Sequence, residues 1–280
     1  MHAPHRVLLV GGDPIVARAL RESPALSACD IESCAGGCDT IQRLRIRSYD
    51  VVVTDPATPV REDLALIDEI RQVRPGVKTI VLAPAVASDD IVEALRSQVF
   101  ACFAQPFDVR EVADMVVRAI EAGDWSNGIE VVSGRPNWIT LRVSCRMITA
   151  DRLVRFMTEW RSDLPEPDRH ALILAFREML LNSMEHGGGF DPEQVIEVTA
   201  ARTARAIVYH LKDPGPGFDI QQLKHAAVGH FPDDPVAHLD YRSRRGLRPG
   251  GFGILLAQQI VDELAYNERG NEVILIKHTA

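Results

Sequence analysis

The stretch AFREMLLNSMEHGG, residues 175–188, sets a glutamate, an asparagine, a second glutamate and a histidine into an otherwise apolar helical run. At roughly 100° per residue, Glu178, Asn182, Glu185 and His186 fall within about a third of the helix circumference. Ile173, Phe176, Leu180 and Met184 lie roughly opposite. One face is therefore expected to pack into a sheet, and the other to offer carboxylates, a carboxamide and an imidazole. Alone, such a stripe is what many helices show to water. Two glycine segments give it context. KDPGPGFD, residues 212–219, sets an acid before alternating glycines at the end of a strand. RPGGFGILLAQQIVDEL, residues 248–264, runs glycines straight into a helix, where backbone N–H groups and the helix dipole suit a phosphate.

The elements that must hold these groups follow from the same half of the chain. IEVVSG and WITLRVS read as strands paired around RPN. Two helices, ADRLVRFMTEWRSD and PDRHALILAFREMLLNSMEH, come next. VIEVTAAR and ARAIVYHLKD are strands, and GILLAQQIVDELAYN and NEVILIKH are a final helix and strand. This order predicts an α+β layer, a mixed sheet with helices on one face. Between Gly217 and Gly253 the pattern is irregular. Loops beyond ~12–15 residues in compact domains tend to be functional lids or disordered.

Residues 128–280 resemble the Bergerat-fold (GHKL) ATPases, and within them the anti-sigma-factor serine kinases. The likeness rests on EMLLNSMEHG, DPGPG, GGFG and the ending DELAYNERGNEVILIKH. It implies ATP and Mg as cofactors. Asn182 would hold the Mg that bridges the phosphates, and Asp213 would accept the adenine amino group, with Gly215 and Gly217 clearing space for the ring. Gly250, Gly251 and Gly253 would cradle phosphates at the helix start. Glu178 matches the family's catalytic base, one helical turn from the metal ligand, and would take a proton from an attacking hydroxyl. Whether that hydroxyl belongs to a protein serine or to water stays open. His186 is either a phosphate contact or a helix cap. Arg242, Arg244, Arg245 and Arg248 are either lid cations for a γ-phosphate or a partner's acidic face, or a solvated loop. Pro249 stands where relatives often have glycine.

The first half alternates strands and helices. HRVLLVGG, DIESCAG, YDVVVTD, KTIVLAP and FACFAQP are strands, each followed by a helical stretch. Five such units predict a parallel sheet covered on both faces, with ligands at the carboxyl ends of its strands. Residues 1–122 resemble the receiver domain of response regulators, a flavodoxin-like (βα)5 fold. By that likeness Asp55 is the phospho-acceptor. The family's acidic, magnesium-holding pair aligns with Gly11 and Gly12, leaving Asp13 nearby. Its Thr or Ser aligns with Ala83, its Lys with Gln105 and its switch aromatic with Cys102. Phosphoryl transfer to a carboxylate needs cations around the phosphoryl oxygens. The expectation is a pseudo-receiver in which Asp55 is inactive.

AGDWSNG breaks the rhythm, so the expected organisation is a receiver-like domain over 1–122, a linker over 123–127 and an ATPase domain over 128–280. Hydrophobic residues make up 46% of the 280-residue chain, enough for a core in each half. No run approaches the ~20 apolar residues of a membrane span, and the start does not read as a signal peptide. The five cysteines form no CxxC pair, which suits free thiols and a cytoplasmic setting. A net charge of −8 without a broad basic face disfavours direct DNA binding. The expected function is an ATP- and Mg-dependent protein serine/threonine kinase acting on a STAS-type anti-sigma antagonist, with a dimer as default. The alternative is a nucleotide-binding switch that sequesters a partner such as a sigma factor. A sensor histidine kinase is disfavoured because only Gly123 to Gly128 separates the halves.

Overall fold

The computed structural model describes residues 4–11, 13–123, 127–160, 164–217 and 253–279. The chain divides into two compact units, Met1–Asn127 with Arg155–Arg161, and Gly128–Val154 with Ser162–Ala280.

In the first unit, strands β1 (His5–Val10), β2 (Cys29–Cys34), β3 (Val51–Val53), β4 (Lys78–Ala83) and β5 (Ala101–Ala104) form a sheet in the order β2-β1-β3-β4-β5. Every pairing is parallel. Helices α1 (Pro14–Glu22), α2 (Gly37–Ile46), α3 (Val60–Val73), α4 (Ser88–Arg96) and α5 (Val109–Glu121) alternate with the strands. All residues of β3, β4 and β5 are buried, as expected where helices cover both faces of a parallel sheet. The strand order reverses at β1, so the ends of β1 and β3 flank the crevice where such sheets place their ligands. Also in this unit, the Arg155 guanidinium lies 4.4 Å over the Phe103 ring and reaches Glu111 at 3.1 Å.

In the second unit, β6 (Ile129–Arg135), β7 (Trp138–Ser144), β8 (Val195–Arg202), β9 (Ala206–Lys212), β10 (Glu263–Tyr266) and β11 (Glu272–His278) form one sheet, ordered β10-β11-β9-β8-β7-β6. Its pairings are all antiparallel, where the sequence pattern led us to expect a mixed sheet. The reason lies in the connections. Three pairs are hairpins, and the two helices between β7 and β8 return the chain to its point of departure, so that Val195 pairs with Ser144. Helices α7 (Glu166–Asn182) and α8 (Gly253–Ile260), with the Met147–Val154 part of α6 (Met147–Glu159), complete the unit.

Alternation sorts the two faces of this sheet. Leu141, Val198, Leu211 and Val273 form one buried cross-strand row. On the other face a register row reads Glu130, Arg142, Glu197, Lys212, Glu272, alternating in charge across five strands. Lys212 meets Glu272 at 3.0 Å and Arg142 meets Glu130 at 3.7 Å. Exposed pairs of this kind add little energy, but like charges placed opposite would cost stability. The edge strand β6 carries a register irregularity between Val131 and Ser133, and the other edge, β10, is four residues long.

The helix expected over 253–267 ends at Ile260, and Glu263–Tyr266 is a strand instead. Asp262 makes the change of direction. Its N–H donates to the Ile276 carbonyl, and its carboxylate accepts the His278 N–H at 2.6 Å and a Lys277 contact at 3.2 Å. Pairing with β11 thus overrides a locally helical pattern.

One buried carboxyl supports the first unit. Asp63, 3% exposed, accepts the Thr54 hydroxyl at 2.7 Å, and that hydroxyl in turn accepts the Leu82 N–H at 3.1 Å. Burial, with Asp55 and Glu62 nearby, pushes the Asp63 carboxyl up to about 7. The folded state therefore binds this proton more tightly than the unfolded chain, whose Asp titrates near ~3.9. The group's contribution to stability is greatest below that value and falls as pH rises to about 7. Asp63→Asn should flatten this decline and raise the melting midpoint at pH ~8, as read by scanning calorimetry from pH ~5 to ~8.

Candidate functional site

The polar face of α7 meets the start of α8. A β-carbon placed on Gly253 would lie 2.8 Å from Oε2 of Glu178 and 3.4 Å from Nδ2 of Asn182. The acid and the carboxamide expected to act together thus stand side by side, against the first residue of a helix. Leu172, Ala175, Phe176, Met179 and Leu180 are the buried stripe that fixes this orientation. The Phe176 ring packs 4.6 Å from that of Tyr209 on β9. Ile173, expected in the stripe, is only partly buried.

Beyond Asn182 the helix widens into a π turn over Ser183–Gly187, closed by the Gly188 N–H to the Ser183 carbonyl at 3.0 Å. Such turns recur at functional sites. Here the widened turn carries Glu185, half-buried, and His186, exposed. It brings Gly187 against the end of β9, where a β-carbon would lie 2.1 Å from Oδ1 of Asp213. The next residue, Gly188, leaves room for the Cys145 sulfur, 2.2 Å from where its own β-carbon would be. The glycines after His186 therefore do more than end a helix: they allow α7 to approach β9 and the end of β7.

Asp213 is half-buried, and Oδ1 accepts the Gly215 N–H at 2.9 Å. Burial raises its carboxyl above the ordinary aspartate range, opposed by the Gly215 N–H and by the positive charge of Arg269. Gly215 packs against Gly187, and Gly217 adopts φ +83°. Glu178, Asn182, His186, Asp213, Gly215, Gly217 and Gly253 are thus distributed along the end of α7 and the two segments it touches. Arg248, Gly250 and Gly251, with Arg242, Arg244 and Arg245, lie outside the described residues.

Sequence reasoning passed over Gly187 as a contact to Asp213. It also passed over the turn after β10, where Arg269 and Asn271 grip the loop that carries Asp213. Pro214 and Pro216 were the available signal. Neither has an N–H, so the loop has few donors of its own and depends on another segment.

These residues fit Mg·ATP. The start of α8 beside an acid and a carboxamide suits a phosphate-bound ion. No cluster of three potential metal-ligating side chains exists among the described residues.

In the first unit, a side chain at position 11 would run into Asp55. Gly11 adopts φ +83°, and a β-carbon there would lie 1.9 Å from Oδ2 of Asp55. The other Asp55 oxygen accepts the Ala57 N–H at 2.9 Å. Asp13, the remaining acid, caps α1 by accepting the N–H groups of Ile15 and Val16 at 2.8 and 3.0 Å. Gln105 and Ala83 occupy the strand ends nearby, joined by the Gln105 N–H to the Ala83 carbonyl at 2.9 Å, and Cys102 is buried in β5.

With that geometry in place, comparison with known proteins identifies both halves. Residues 7–117 match the response regulator receiver domain, and residues 145–277 match the histidine kinase-like ATPase domain. The chain carries a receiver domain at its N-terminus and a histidine kinase-like ATPase domain at its C-terminus. Among curated proteins it is similar to the DNA-binding transcriptional regulator NtrC of Escherichia coli K12, 26% identical over 114 residues, covering 41% of this chain and 24% of that protein. It is also similar to the serine-protein kinase RsbW of Oceanobacillus iheyensis, 24% identical over 105 residues, 38% of this chain and 61% of that one. The chain thus spans about a quarter of the NtrC regulators that it matches. Among solved structures, the CheY-like receiver domain protein of Methanospirillum hungatei JF-1 aligns with 43% of this chain and 96% of its own, at 17% identity and a TM-score of 0.39. Among the described residues, no helix is long and apolar enough to cross a membrane.

Gly187→Ala is expected to force α7 away from Asp213. The overlap is with a carboxylate held in place by a backbone N–H, so the change should destabilise the second unit by on the order of 1–3 kcal/mol in urea unfolding.

Proposed function

We propose that this chain is an ATP- and Mg-dependent protein serine/threonine kinase of the partner-switching type, working in the cytoplasm and, by default, as a homodimer. Its substrate would be a serine or threonine on a STAS-type anti-sigma antagonist, and a sigma factor is a further candidate partner. The observation that carries the reading is the side-by-side placement of Glu178 and Asn182 against Gly253.

In this reading Asn182 holds Mg and Asp213 accepts the adenine amino group. The start of α8 faces the phosphates. When bound, Mg would neutralise charge on the phosphate oxygens. Glu178 takes the proton of the attacking hydroxyl as that oxygen bonds to the γ-phosphorus, and ADP departs with the electrons of the broken P–O bond. A carboxylate one turn from the metal ligand suits the base role. The similarity to a serine-protein kinase supports protein phosphorylation over simple hydrolysis.

The receiver domain acts in this reading as a control module that works through contacts and is not switched by phosphate at Asp55. The support is physical. Asp55 presses against Gly11, Asp13 is committed to capping α1, and Gln105 brings no cation.

Glu178→Gln is expected to leave Mg·ATP binding by calorimetry within about twofold while lowering phosphate transfer to the partner protein by 10²-fold or more. Retained transfer in that variant would remove Glu178 from the mechanism. Acetyl phosphate with Mg should leave the intact mass of the full chain unchanged, and a stable gain on Asp55 would overturn the contact-only role of the receiver domain.

A further inference from the structure

The loop Asp213–Gly217 cannot hold its own shape. With Pro214 and Pro216 in it, its N–H donors after Asp213 are those of Gly215 and Gly217, and the Gly215 N–H is already given to the Asp213 carboxylate. Its carbonyls must find donors elsewhere.

They find them on one turn, Asn267–Asn271, between β10 and β11. The Arg269 fork donates through Nη2 to the Gly215 carbonyl at 3.1 Å and through Nε to the Pro216 carbonyl at 3.2 Å. The Asn271 side chain donates to the Asp213 carbonyl at 3.1 Å, and the Asn271 carbonyl accepts the Asp213 N–H at 3.0 Å. Gly217 closes over the same turn: a β-carbon there would lie 1.8 Å from the Arg269 carbonyl oxygen. The turn is itself rigid. Oδ1 of Asn267 accepts the N–H groups of Gly270, Asn271 and Glu272 at 2.8, 3.1 and 3.2 Å, and its Nδ2 donates to Asn271 at 3.0 Å. Asn271 is 6% exposed, so its bonds are shielded from water.

We propose that Arg269 and Asn271 are positioning residues for nucleotide recognition, fixing the 213–217 loop so that the Asp213 carboxylate faces the base. This rests on the nucleotide reading given above. A guanidinium bonds two carbonyls at once with little loss of freedom per bond, which a single ammonium cannot match. Arg269 has a second effect, because its charge lowers the Asp213 carboxyl against the pull of burial. Among the described residues, Tyr266 at the end of β10 and Cys145 after β7 are also coupled to Asp213, both neutral near pH ~7 with their own values raised by burial. Among the described residues, Arg269 is thus the cation that favours the ionised form of Asp213.

The sign follows. An ionised Asp213 accepts an amino N–H more strongly than a neutral carboxyl does, so affinity falls as pH drops through its raised value. Without Arg269 that value moves further up, and affinity is lost at a higher pH.

The test is calorimetric titration of the full chain with Mg·ADP between pH ~5 and ~8, for wild type, Arg269→Gln and Arg269→Lys. Wild type should bind. Arg269→Gln should weaken binding on the order of tenfold at neutral pH, the scale of one charge-assisted hydrogen bond, and shift the acid limb upward. Arg269→Lys should keep the wild-type acid limb and lose less affinity. Unchanged binding in Arg269→Gln, or a uniform loss at every pH that Lys does not restore, overturns the proposal. If Arg269→Gln fails to fold by circular dichroism, Arg269→Lys against wild type decides. In that comparison the acid limb must be retained and affinity must drop by a few-fold. Failure of wild type to bind Mg·ADP would instead bring down the nucleotide reading, and this proposal with it.

Discussion

The second unit is organised around a close approach between the end of a helix and the end of a strand. The widened turn after α7 carries Gly187 against the Asp213 carboxylate, at a distance that only a residue without a side chain permits. That contact ties the face bearing Glu178 and Asn182 to the loop bearing Asp213. It also puts Gly188 where the Cys145 sulfur needs room. A helix that ran straight on past Asn182 would aim its last residues elsewhere, and the acid just after β9 would stand apart from the carboxamide on α7.

A similar constraint recurs in the receiver domain. Gly11 is also close to an aspartate, and a β-carbon there would overlap Oδ2 of Asp55. Asp55 is held by the Ala57 N–H, and Asp13 spends its carboxylate on the first turn of α1. In both halves glycine lets an aspartate come close, beside the polar face of α7 in one and at the end of β1 in the other.

Much of this was legible in the amino-acid sequence. Apolar runs such as YDVVVTD and KTIVLAP announce buried parallel strands, because both faces must be apolar. The period of α7 separates Phe176 and Leu180 from Glu178 and Asn182. What the pattern hid has a common cause, which is contact between distant segments. Arg269 grips a loop 54 residues earlier, and nothing near NERGN in sequence advertises it. ELAY is compatible with a helix until β11 and the His278 N–H claim it as a strand. The antiparallel sheet likewise follows from where the two helices return the chain, a fact about connections and not about any residue.

The ends of the six-stranded sheet have a consequence for how the protein meets others of its kind. One border strand is interrupted between Val131 and Ser133, and the other is four residues long. Neither offers the long, flat row of free amide and carbonyl groups on which a stray chain can zip. The outer surface adds alternating charges that demand one alignment. Edge-to-edge pairing of this sheet is therefore less favourable than it would be along a long, regular border.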